Sequence, residues 1–132
     1  MDWESYLKKD LQSKTLSYTF IGANMAIDKS IYKWMKKILN TTDMIRVCIH
    51  DSSEELTQSM IIGITNNKKI DFHKNEFKDK IYQIIEGKIE IVLNNNEKII
   101  LNENELFKLQ KNTFMKMKSI SNITIYNEIV SG

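Results

Sequence analysis

From residue 43 onward the chain is divided into nine short β-like runs, at 44–50, 56–65, 68–73, 80–85, 88–93, 97–101, 105–109, 113–118 and 123–129. The breaks between them carry turn-forming pieces such as Asn66-Asn67, Glu86-Gly87, Asn94-Asn95-Asn96 and Asn102-Glu103-Asn104. Many short strands at near-regular spacing build an antiparallel sandwich or barrel, and jelly-roll closure is one way to remove its exposed edges. At Glu86-Gly87 the glycine supplies the positive φ of a tight hairpin.

Upstream the pattern changes. Asp28 is a good N-cap, and Ile31, Trp34, Met35, Ile38 and Leu39 recur on one helical face before Asn40. Lys29, Lys33, Lys36 and Lys37 take the opposite, solvated face. Residues 1–25 read as an accessory arm, with Trp3, Tyr6, Leu7 and Leu11 near helical spacing and Leu16, Tyr18 and Phe20 alternating like a short strand. The expectation is a single domain, 1–132, that is mainly β: an N-terminal arm and helix over 1–43 and an antiparallel sandwich or barrel over 44–132.

Composition excludes several roles. A chain of 132 residues with 42% hydrophobic residues can bury one core. Its 19 basic and 17 acidic residues nearly cancel, which argues against a nucleic-acid partner. The single cysteine, Cys48, rules out an internal disulfide and a cysteine-based zinc cluster and fits a reducing, cytoplasmic setting. No run approaches the roughly 18 apolar residues of a membrane span, and the first residues are acidic where a secretory signal is basic.

Strand parity sorts the polar side chains onto faces. Asp71, His73 and Asn75 share one side of their run, opposite Ile70 and Phe72. Arg46, Cys48 and His50 share another, opposite Ile45, Val47 and Ile49. If Asp79 leads directly into the next strand, it lies with Ile81, Gln83 and Ile85. Thr113, Met115 and Met117 align, as do Asn122, Thr124, Tyr126 and Glu128.

At His73, Asn75, Asp79 and Gly87 the chain resembles the first motif of the cupin superfamily, in which two histidines one residue apart and a glutamate precede a strand and a glycine turn. The segment 105–115 is similar to the second motif, with Met115 in its histidine position. Arg46, His50, Gln58, His73 and Glu128, in that order, resemble the WbuC-type cupin-fold metalloproteins associated with surface-polysaccharide gene clusters. The resemblance covers about residues 44–132 and implies a jelly-roll barrel, a metal site, a sugar or nucleotide-sugar ligand and a homodimer.

The departures from the motif bear on the metal. A cupin site uses three imidazoles and a carboxylate to hold Fe, Mn, Ni or Zn. With two histidines in the chain, the motif positions supply one imidazole, an amide, a carboxylate and a thioether, which suit no common divalent ion together. Weak or lost metal binding is expected, and a His50, His73 and Asp79 set, or the same set with Glu128, is the remaining candidate. Met115 reads as core filling, and Asn75 and Asp79 also fit a plain turn. Three functions remain open: a small-molecule-binding cupin with a degenerate metal site lined by Arg46, His50, Gln58, Asn75, Met115 and Glu128; an enzyme, either metal-dependent through His50, His73 and a carboxylate or a metal-free sugar isomerase or epimerase using His73 as base and Tyr126 as acid; and a non-catalytic dimerisation module.

Overall fold

The computed structural model describes residues 2–52 and 54–131. After a 3-10 turn at Trp3–Tyr6 come β1 (Leu7–Lys9), β2 (Leu16–Phe20), α1 (Ser30–Ile38) and β3 (Met44–Cys48). Then follow β4 (Thr57–Thr65), β5 (Lys69–His73), β6 (Asp79–Glu86), β7 (Ile89–Leu93), β8 (Lys98–Leu101), β9 (Leu106–Leu109), β10 (Met115–Ser119) and β11 (Ile123–Ser131). Each of the nine expected runs contains a strand.

The strands form two sheets, one in the order β1-β2-β3-β4-β11-β6-β9 and one in the order β5-β10-β7-β8. From β4 on, the chain passes repeatedly between them, the β7–β8 pair being a hairpin within the smaller sheet. All neighbours are antiparallel except β2 and β3, which run parallel and are joined by α1. Parallel neighbours need such a crossover because a short turn cannot return the chain to the same end.

The larger sheet is buried on both faces. Its inner face meets the smaller sheet through Ile62, Ile64, Ile84, Ile91, Met115 and Met117. Its outer face is covered by α1 and the N-terminal segment, with Trp3, Ile31, Met35 and Leu39 packed on Ile45, Val47, Ile61 and Ile125. Trp34 meets Tyr18 edge-on at 5.2 Å between ring centroids. The amphipathic helix is thus a lid on the sheet, held by apolar burial rather than by its own length.

Three sequence expectations are modified. The helical spacing at Trp3, Tyr6 and Leu7 yields only the 3-10 turn, and Leu11 is 86% exposed. Residues 7–20 are not an appendage, because β1 and β2 extend the larger sheet and Trp3 donates its indole N–H to Ser30 Oγ at 2.8 Å. Glu86-Gly87 has the expected positive φ, +94°, but it is a corner between sheets rather than a hairpin, since β6 and β7 belong to different sheets. There Gly87 lies so close to the next turn that an added Cβ would stand 2.7 Å from the Ile123 carbonyl oxygen.

Gly63 sets the approach of α1. A Cβ at this position would lie 2.9 Å from Leu39 Cδ1 and 3.2 Å from Ile45 Cγ2. Gly63→Val is expected to destabilise the fold by about 1–3 kcal/mol through overpacking, with Gly63→Ala costing less because the Leu39 side chain can turn. Urea unfolding of the variants checks this, and an unchanged midpoint for Gly63→Val would contradict the packing described.

Candidate functional site

Register places a charged cluster inside the barrel. Across the larger sheet one interior row runs Arg46, Ile62, Tyr126 and Ile84, and the next runs Cys48, Met60, Glu128 and Tyr82. Lys80 stands beside Val130 in the row below, and Ser17 and Thr19 continue the first two rows onto β2. Because alternate residues of a strand share a face, Lys80 and Tyr82 point inward with Glu128 and Tyr126.

Three charges meet there. Lys80 Nζ lies 3.6 Å from Glu128 Oε1, with side chains 13% and 12% exposed. That separation is an ion pair but too long for a direct hydrogen bond. Arg46 Nε is buried and has no hydrogen-bond partner among the described residues. Tyr82 and Tyr126 pack with ring centroids 6.0 Å apart. Burial, followed by the Glu128 charge, pushes both phenols well above their usual range, so both stay neutral. The Tyr82 phenol stands beside the Glu128 carboxylate, which adds to its upward shift.

Two cavities adjoin this cluster. The first, about 560 Å³, is lined mainly by polar groups, including Ser13, Ser17, Gln58 and Asn75. The second, about 570 Å³, carries more apolar and aromatic groups, including Ile62, Tyr82, Met115 and Tyr126. Arg46, Lys80 and Glu128 line both, so the charges form the wall between them.

No family model and no curated protein matches the chain. Solved structures do. The chain is similar to a protein from Neisseria meningitidis at 14% identity and a TM-score of 0.63, over 82% of this chain and all of that one. It is also similar to KdgF from Halomonas sp., with 16% identity, a TM-score of 0.60 and coverage of 67% and 78% of the two chains. A cupin superfamily protein from Desulfitobacterium hafniense matches at 13% identity and a TM-score of 0.60, over 68% of this chain and 78% of that one. This is the cupin fold.

The metal that the cupin resemblance implies does not fit the donors present. His73 Nδ1–H donates to the Asp71 carbonyl at 2.9 Å, which leaves Nε2 as the ring nitrogen not used in that bond. His73 lines the second cavity and His50 the first. His50 Nδ1 lies 3.2 Å from both the Ser59 nitrogen and the Ser59 carbonyl oxygen, so this ring nitrogen is engaged by the Ser59 backbone in either tautomer. Asp79 lies with Ile81 and Gln83 on the side of β6 opposite the barrel interior, and its Oδ1 accepts the Lys111 N–H at 2.7 Å. The expected His50, His73 and Asp79 set is therefore not brought together. Glu128 does not complete it, since it faces Lys80 and Tyr82. No group of three His, Cys, Asp or Glu suited to a metal occurs among the described residues.

The predicted ligand and acid–base positions fall on the two cavities, with Arg46 and Glu128 common to both. Arg46, His50, Gln58, Asn75 and Glu128 line the first cavity, and Arg46, His73, Met115, Tyr126 and Glu128 the second. Asn75 Oδ1 also accepts the N–H groups of Phe77 and Lys78, which is the local turn its residue type favours. Met115 is 1% exposed and fills the core beside His73. Burial raises the Cys48 thiol pKa, which disfavours the nucleophilic thiolate.

Lys80 and Tyr82 are absent from the sequence-derived set. The signal for them was present: Asp79 with Ile81 and Gln83 on one side of β6 leaves Lys80, Tyr82 and Ile84 on the other. A second signal is Arg46 itself, the only arginine in a chain whose other cations are lysine. Arginine is the residue suited to planar, paired hydrogen bonding of an anion.

Two outcomes are expected. Added Fe, Mn, Ni or Zn should leave the melting temperature unchanged, and a stoichiometric shift with any of them would contradict the donor assignment. The phenols give a pH dependence: their folded pKa values are raised, so their contribution is intact below the unfolded value of 10.0 and declines as pH rises beyond it. Each phenol contributes a loss of about 1.4 kcal/mol per pH unit above that point. Tyr126→Phe should flatten the alkaline limb measured by urea unfolding, and an unchanged slope would count against a buried neutral phenol.

Proposed function

We propose that this cupin-fold chain is a small-molecule-binding protein that takes an anionic ligand at the Arg46, Lys80 and Glu128 cluster. The observation that carries this is the buried Arg46 Nε, without a hydrogen-bond partner among the described residues, beside a lysine whose ion-pair carboxylate among them stands 3.6 Å away. A buried, unpaired donor costs stability, and an incoming phosphate or carboxylate would satisfy it. Two cations against one carboxylate also repel a metal ion and attract an anion, consistent with a degenerate metal site.

Within this reading the ligand is a sugar phosphate or nucleotide-sugar, the protein is of the WbuC type and serves surface-polysaccharide synthesis, and the working assembly is a cytoplasmic homodimer. The support is the resemblance of Arg46, His50, Gln58, His73 and Glu128 to that pattern, together with the cavity sizes. Calorimetric titration with pyrophosphate and glucose 1-phosphate tests the site. Arg46→Met should weaken binding roughly tenfold to a hundredfold, the scale of a hydrogen bond to a charged group. Equal affinity in the variant would remove the proposal, and light scattering settles the dimer separately.

An enzymatic reading has one observation in its favour: His73 and Tyr126 line the same cavity, the first with its Nε2 not used in the Asp71 bond and the second as a neutral acid. Such a pair can remove and return a proton without a metal. Deuterium uptake into a bound sugar in heavy water, followed by proton NMR and lost in His73→Gln, would establish it; no uptake would leave binding alone.

A further inference from the structure

Resting on the anion site just proposed, we infer that its ligand is two-armed: the anionic group is internal to the molecule, and each cavity receives a different substituent. The geometry is the ground for this. A terminal anion needs charge at the end of one pocket, whereas here Arg46, Lys80 and Glu128 line both cavities and form their common wall. An anion bound at that wall has open space of about 560 Å³ on one side and about 570 Å³ on the other. Each is of the size that accommodates a small-molecule moiety.

The two sides differ in chemistry. Hydroxyl and amide groups of Ser13, Ser17, Gln58 and Asn75 line the first, which suits a polyhydroxylated arm. Met115, Met117, Ile70 and the rings of Tyr82 and Tyr126 line much of the second, which suits a flatter, less polar arm. The charge at the wall favours an internal phosphoryl group over a terminal one. A terminal phosphate, carrying more negative charge per phosphorus, would crowd Glu128. The chemical class is therefore a phosphodiester or diphosphodiester with one hydroxyl-rich and one planar substituent.

The loop between β1 and β2 allows each cavity to be blocked alone. Ser13 lines the first and Thr15 the second, and both are partly exposed outside the strands. Calorimetric titration of the full chain, Ser13→Trp, Thr15→Trp and Arg46→Met with uridine diphosphate glucose, uridine diphosphate and glucose 1-phosphate tests the inference, with melting curves confirming that each variant folds. The whole molecule should bind at least tenfold tighter than either half. Each tryptophan should weaken the whole molecule about tenfold, and each should spare the half that occupies the other cavity. Halves that bind as tightly as the whole, or a loss confined to one tryptophan variant, would overturn the two-armed ligand while the anion site stands. Failure of all three probes to bind the unaltered chain would remove the anion site and this inference with it.

Discussion

The arrangement depends on three charges kept inside a barrel that could otherwise be wholly apolar. Removing Arg46, Lys80 and Glu128 from water is costly, and the 3.6 Å separation of the one ion pair recovers only part of that cost. An all-apolar wall at these positions would be at least as stable, so stability alone does not account for the cluster. Tyr82 and Tyr126 add to the constraint. As buried neutral phenols they flank the carboxylate, while Arg46 Nε has no hydrogen-bond partner among the described residues. Both cavities border this cluster, which contributes Arg46, Lys80 and Glu128 to each.

The rest of the molecule offsets this open centre. The larger sheet is packed on its outer face by α1 and Trp3, so its strands are fixed from behind while the inner face carries the cluster. Gly63 lets the helix approach closely, and the parallel β2–β3 pair extends the sheet past the smaller one. That extension brings Ser17 and Thr19 beside Arg46 and Cys48 and forms one side of the first cavity. At the opposite corner the buried Ser119 and Thr124 hydroxyls, 2.6 Å apart, join the β10–β11 turn to the Gly87 turn. The barrel is therefore rigid at its outer layer and at that corner, and least filled where the charges stand.

Much of the architecture was legible because strand alternation and turn chemistry are local. Each run from 44–50 to 123–129 holds a strand, and Asn96 and Asn104 take the left-handed conformations that their turns require. Pairing between distant segments was not legible: nothing local in Leu16–Phe20 says that it will lie parallel to Met44–Cys48, or that Glu86-Gly87 turns between sheets. For the site, parity put Arg46 with Cys48 and His50 on one strand and Tyr126 with Glu128 on another, and pairing of both strands with β4 brings the two faces together. The metal pattern drew attention to Asp79, which sits on the outer side of β6, and away from Lys80, whose residue type usually marks a solvated surface. Fixed motif spacing misled where a single-residue change of face reverses inside and outside.

The central claim is that Arg46 Nε–H is a buried donor awaiting an anion, and Arg46, as the only arginine, gives a single guanidinium Nε–H signal in a proton–nitrogen correlation spectrum. Titrating pyrophosphate into labelled protein should move that signal downfield and slow its exchange with water, with saturation matching the calorimetric affinity. A signal that neither shifts nor gains protection at saturating pyrophosphate would contradict the account.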